Sequence, residues 1–117
     1  VDIADNIAAG CRPDWPGWRL ILADSRTPLA PAAALESLGH ARPDLLFIDT
    51  EHNAAQIDRE MVTWEPITAP GCVWLFHDVW MGGARHEIAD AIALYAISTG
   101  RTFEIVDKRD NGLGVMR

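Results

Sequence analysis

The chain has 117 residues, 49% of them apolar, and its seventeen acidic and ten basic residues give a net charge of −7. That length closes one hydrophobic core and excludes two independent domains, while the acid excess lacks the electrostatic footprint of a nucleic-acid binder. A mean hydropathy of zero marks a soluble globular protein rather than a disordered one. No apolar run approaches the roughly 20 residues a membrane span requires, and Cys11 and Cys72 stand in neither a zinc nor a disulfide-scaffold spacing. The expectation is a cytoplasmic protein in a reducing compartment, without a membrane or nucleic-acid partner and with homo-oligomerisation left open. The sequence opens at Val1 rather than Met, which reads as a fragment.

Residues 19–23 (RLILA) are a short aliphatic run closed by Asp24-Ser25, Pro28 and Pro31, the pattern of a buried strand. Residues 32–38 follow as a short helix, with Pro31 near its first turn and Gly39 just past its end. Residues 45–48 (LLFI) form an unbroken apolar run ending at Asp49, as in a strand covered on both faces. Over residues 54–64, Ile57, Met61 and Trp64 fall at i, i+4 and i+7 on one helical face. Pro66 and Pro70-Gly71 end that helix, and residues 72–76 (CVWLF) make a third apolar run that stops at His77-Asp78. Ile88, Ala91, Ile92 and Tyr95 then line a further helix stopped by Gly100. Residues 102–106 and 114–116 are the last strand candidates; the short segment between them, with Asp110-Asn111-Gly112, allows an antiparallel hairpin, whereas strands separated by helices must be parallel. The order predicts an α/β fold: a doubly wound, mostly parallel sheet with a carboxyl-terminal antiparallel strand.

Ligands of such sheets sit at the carboxyl ends of the strands. That rule selects Asp24-Ser25, the segment from Asp49 to Asn53, and His77-Asp78. Asp49, Glu51, His52, His77 and Asp78 are the densest chemistry in the chain: hard oxygen ligands favour magnesium, calcium or manganese, and the imidazoles leave zinc open. Each carboxylate could equally cap the following helix. An imidazole at His52 beside such a cation suits a general base, although a lone loop histidine is more often a solvated or structural hydrogen-bonding group. Asp24-Ser25 can read the edge of a nucleobase or form an Asx turn; Asp2 can take ribose hydroxyls or face water. Trp18, Trp64 and Trp74 are read as core, and Trp80, which leads into Gly82-Gly83, as either packing or a site cover. His40, His86, Arg59, Glu60 and Lys108 are read as solvated surface. No GxGxxG, GxxxxGK[ST] or GxSxG occurs, so phosphate-loop and serine-hydrolase readings find no support.

The segment DLLFIDTEHNAAQIDREMVTWEPITAPGCVWLFHDVW, residues 44–80, resembles the class I S-adenosylmethionine-dependent methyltransferases, and within them the metal-assisted small-molecule O-methyltransferases that tailor cephalosporins and macrolides. The matching features are Ile48-Asp49-Thr50-Glu51-His52, Pro70-Gly71-Cys72 and His77-Asp78, with GLGVMR similar to the family's terminal antiparallel strand, VDI to the end of its second strand and ADS to the end of its third. The resemblance implies a Rossmann-like fold, S-adenosylmethionine and a divalent cation, magnesium by preference, as cofactors, and a small hydroxylated acceptor. It implies Asp49, His77 and Asp78 as metal ligands, His52 as the base, Asp2 for the ribose hydroxyls and Asp24 with Ser25 for the adenine edge. His77 stands where relatives carry a carboxylate or histidine. Thr50 and Cys72 replace family glycines, and a turn needing positive φ at position 50 would resist a β-branched residue. The family's first strand and glycine-rich turn would precede Val1, so the chain reads as a truncated carboxyl-terminal portion. Competing readings are a degenerate, non-catalytic Rossmann-like module and a metal-dependent hydrolase.

Overall fold

The computed structural model describes residues 16–80 and 86–117. In chain order these form α1 (Leu29–Ser37), β1 (Leu45–Ile48), α2 (Ala54–Trp64), a single 3-10 turn (Glu65–Ile67), β2 (Val73–His77), α3 (Glu87–Thr99), β3 (Phe103–Asp107) and β4 (Leu113–Met116). Readings that involve Val1 to Ile3, Cys11, Trp15 or Gly82-Gly83 lie outside the described residues.

The strands make one four-stranded mixed sheet in the order β1-β2-β4-β3. β1 and β2 are parallel, in a register that sets Leu46 beside Trp74 and Ile48 beside Phe76. β4 pairs antiparallel with both β2 and β3. The parallel pair and the terminal hairpin thus follow the sequence pattern, and among the described residues one pairing is parallel and two are antiparallel, so this described part of the sheet is not mostly parallel. The reason lies in residues 19–23. They make a single-residue bridge at Leu22, which is 57% exposed, and no strand. A short aliphatic run becomes a strand only where a ladder partner is available along its length, because β-propensity is chiefly a matter of fit to neighbours.

The core lies on one face of the sheet. Leu46, Ile48, Trp74, Phe76, Phe103, Ile105 and Met116 share it with Ile57, Met61 and Trp64 of α2 and with Ile88, Ile92 and Ala96 of α3. Trp64 and Trp74 are core residues as the sequence implied. On the opposite face of β1, Leu45 and Phe47 are each 55% exposed, so this run is covered on one face rather than two. α2 starts at Asn53, an extended N-cap residue whose side-chain oxygen accepts from the Gln56 backbone N–H at 2.8 Å, which satisfies one of the helix's orphan donors. α1 begins at Leu29, earlier than residue 32; Pro31 fits its first turn, where a missing N–H breaks no helical bond. Gly100 ends α3 with φ 71°.

The β3–β4 turn needs its glycine. Asp110, Asn111 and Gly112 all have positive φ, and a Cβ at Gly112 would lie 2.6 Å from Cβ of Trp80. The backbone N–H of Trp80 also donates to the Asn111 carbonyl at 2.5 Å. The hairpin tip is therefore fastened to the chain two residues beyond Asp78.

Candidate functional site

The parallel register builds the site. Because Ile48 pairs with Phe76, Asp49, His77 and Asp78 leave the sheet within about one residue's rise of one another, roughly 3.3 Å. Asp78 itself takes φ 56°, a left-handed conformation that Asp tolerates better than most residues and one that can mark a functional position. Thr50, by contrast, does not take positive φ; the left-handed residue after a strand is Asp78, so a threonine at position 50 carries no backbone penalty of the kind expected.

Asp78 is 7% exposed overall, whereas the side chains of Asp49, His52 and His77 are 51%, 40% and 41% exposed. Its two oxygens face different imidazoles. Oδ2 lies 2.6 Å from Nε2 of His52. Oδ1 lies 2.9 Å from Nδ1 of His77, which in turn is 3.5 Å from Oδ1 of Asp49. Both approaches to Asp78 are charge contacts rather than aligned hydrogen bonds, and both Oδ1 of Asp78 and Nδ1 of His77 are buried without a partner. Such orphans cost about 1–3 kcal/mol each unless something satisfies them.

An octahedral cation with ligands at about 2.1 Å sets neighbouring donors about 3 Å apart, and His77 Nδ1 lies 2.9 Å from Asp78 and 3.5 Å from Asp49. The donor atoms of Asp49, His52 and Asp78 also lie within 4.8 Å of one another. The residues present therefore fit a divalent cation, with the oxygen-rich set that a hard metal prefers.

Asp24 and Ser25 are placed differently from one another. Both oxygens of Asp24 accept from Arg26, at 2.8 Å from Nε and 2.7 Å from Nη2, and Oδ1 also accepts from the Arg26 backbone N–H. This is the Asx turn. The Arg26 hydrogen bonds hold the Asp24 carboxyl down at about 2. Because the folded value is depressed below the ordinary 3.8, the pairing operates above that value and is lost as pH falls through about 2. Arg26→Ala is expected to move the Asp24 midpoint back up toward 3.8 in a carboxyl-carbon NMR titration; a midpoint still near 2 would contradict the assignment. Asp24 and Arg26 line an open cleft of about 390 Å³ together with Thr27, Asn53, Gln56 and Arg59.

Ser25 points the other way. Its hydroxyl donates to Oε1 of Glu60, which also accepts from Gln56 Nε2 at 2.8 Å, while Oε2 accepts from Thr50 Oγ1 at 2.8 Å. Glu60 is 1% exposed, a correction to its reading as solvated surface. On α2 it follows Ile57 by three residues and Gln56 by four, within the buried stripe; that spacing was the available signal. Trp80 is packed: its ring stacks on His86 at 3.8 Å between centroids, with Lys108 Nζ 4.2 Å from the ring centre. His86 is thus partly covered rather than solvated, whereas Lys108 remains exposed. Cys72 is a buried free thiol whose pKa burial pushes up, as suits a packing role. Among the described residues, no helix is long and apolar enough to cross a membrane.

A family model described as a methyltransferase domain matches residues 3–79, well over half the chain and inclusive of every strand-end cluster above. No curated protein and no solved structure matches the chain. The matched span holds β1, α2, β2 and the Asp49, His52, His77, Asp78 constellation in one continuous run. The chain belongs to this family of methyltransferase domains, and the methyl donor such a domain implies is S-adenosylmethionine.

Proposed function

We propose that the chain acts as an S-adenosylmethionine-dependent O-methyltransferase that modifies a hydroxyl group of a small molecule with the help of a divalent cation, magnesium by preference. The observation that carries this reading is the division of Asp78: one buried, unpartnered oxygen beside the unpartnered Nδ1 of His77, the other 2.6 Å from Nε2 of His52. Asp49, His77 and Asp78 are assigned to the cation and His52 to proton transfer. The negative net charge supports an enzyme of small molecules over a reader of polyanions.

When bound, S-adenosylmethionine supplies an electrophilic sulfonium methyl group, and the cation a positive charge that acidifies the acceptor hydroxyl. The chain's own residues do the rest. Asp78 Oδ2 fixes the His52 ring through Nε2, which leaves Nδ1 to take the hydroxyl proton. With both reactants bound, the acceptor oxygen would take the methyl group as the carbon–sulfur bond broke, and positioning by the chain's residues would supply much of the rate. The adenosyl end is assigned to the cleft between the Asp24–Thr27 turn and the start of α2, with Asp2, outside the described residues, assigned to the ribose hydroxyls. The Arg26 pair leaves Asp24 less free to read a base edge, so the backbone of this turn carries more of that role.

Calorimetric titration of the chain with S-adenosylhomocysteine, with and without magnesium, tests the reading. Binding that strengthens with magnesium is expected. A folded chain that binds magnesium but not S-adenosylhomocysteine would overturn the reading and favour a metal-dependent hydrolase.

A further inference from the structure

Glu60 stands apart from the chemistry yet is tied to both turns that carry it. Its carboxyl group is 1% exposed and is held by three uncharged donors: Ser25 from the turn after residues 19–23, Thr50 from the turn after β1, and Gln56 from its own helix. Ser25 adjoins Asp24 at the cleft assigned to the adenosyl group; Thr50 adjoins Asp49 of the cation site. The two turns are far apart in sequence, and no hydrogen bond recorded between described residues joins one directly to the other. The neighbouring backbone adds a second tether to the first turn, where Trp64 Nε1 donates to the Ser25 carbonyl at 2.9 Å.

We infer that Glu60 is a positioning residue that sets the Asp24–Thr27 turn and the Asp49–Asn53 turn in a fixed relation, so that methyl donor and activated hydroxyl meet at the required separation. The inference rests on the reading of those turns as donor and cation turns. The physical reason for a carboxyl group here is its acceptor capacity. Two oxygens offer about four acceptor positions, enough to take hydrogen bonds from two loops and a helix side chain at one point, and burial makes each of those bonds costly to lose. Reactants misplaced by about 1 Å can lose roughly 100-fold in rate, so a junction between the two turns bears on turnover although Glu60 touches neither reactant.

The sharpest test compares Glu60→Leu, which keeps bulk and removes the acceptors, with Glu60→Gln. In the latter the Ser25, Thr50 and Gln56 groups can reorient around an amide, since a hydroxyl both donates and accepts. Amide hydrogen exchange in residues 24–27 and 49–53 should accelerate about tenfold or more in Glu60→Leu and stay within about threefold of wild type in Glu60→Gln. Turnover at saturating donor should fall in Glu60→Leu and recover in Glu60→Gln. Thr50→Val removes one hydrogen bond at almost constant shape; it should loosen residues 49–53 alone, and it serves if Glu60→Leu fails to fold. Unchanged exchange in both turns of folded Glu60→Leu, or in residues 49–53 of Thr50→Val, would overturn the inference whatever the ligands do. Loosened turns in a chain whose wild type binds no S-adenosylhomocysteine would uphold the junction and instead bring down the methyltransferase assignment of the site.

Discussion

Asp78→Asn is expected to lower methyl transfer by about 1,000-fold or more and to abolish its dependence on magnesium, because one substitution removes both a cation ligand and the group that orients the base. Asparagine is the informative replacement. It tolerates the left-handed backbone that Asp78 adopts at φ 56° about as well as aspartate does, and it retains the shape of a side chain that is almost wholly buried. What it loses is the negative charge and one of the two acceptor oxygens. The orphaned Nδ1 of His77 would then face an amide instead of sharing a cation with a carboxylate. Circular dichroism should show an intact fold, and calorimetry no magnesium binding in the concentration range that saturates wild type. Activity and magnesium affinity within twofold of wild type would remove Asp78 from the mechanism.

The second large effect separates proton transfer from cation binding. His52→Ala should lower kcat about 100- to 10,000-fold, the range a positioned general base supplies, with KM for the methyl donor and affinity for magnesium nearly unchanged. Two observations underlie the split: His52 approaches Oδ2 of Asp78 at 2.6 Å, whereas the unpartnered pair that suits a cation is Oδ1 of Asp78 with Nδ1 of His77. His52 is also 40% exposed at its side chain, so truncation should cost little stability. Should the cation instead draw on Asp49, His52 and Asp78, whose donors lie within 4.8 Å of one another, magnesium affinity would fall in step with kcat. His77→Ala should show the reverse pattern, with weakened magnesium binding and a rate restored in part by excess magnesium.

These assignments draw on parts of the sequence that are legible to unequal degrees. The runs LLFI and CVWLF declare themselves as strands because they are short, continuous and bounded by polar turns, and a helix between them forces the parallel pairing seen at Leu46–Trp74 and Ile48–Phe76. The i, i+4, i+7 spacing of Ile57, Met61 and Trp64 gives α2 its length and its face. Asp110-Asn111-Gly112 marks the hairpin because three successive left-handed residues need that chemistry. RLILA satisfies the same local rule as LLFI yet makes a single bridge at Leu22, since a strand is decided by a partner that local pattern does not encode. Coverage of Leu45 and Phe47 is equally non-local: both are half exposed although nothing in their run distinguishes them from Leu46 and Ile48.

The candidate site follows the same division. That Asp49, His77 and Asp78 converge is implied by strand ends and register. The contact of His52 with Asp78 depends on where a loop side chain turns, and the burial of Glu60 depends on donors that arrive from Ser25 and Thr50. A glutamate within a buried helical stripe still looks like surface by residue type until those donors are known, because a buried carboxyl group is tolerable only when its acceptors are filled. Asp24 is readable as either a ligand or a turn, and Arg26 two residues on supplies the hydrogen bonds that make the turn and hold its carboxyl at about 2.

The measurement that bears most directly on the account is electron paramagnetic resonance of manganese bound to chain carrying nitrogen-15 histidine. The account predicts one bound ion with coupling to a single imidazole nitrogen, a coupling that persists in His52→Ala and vanishes in His77→Ala. A histidine coupling that vanished in His52→Ala, or a folded chain that bound no manganese at all, would contradict it.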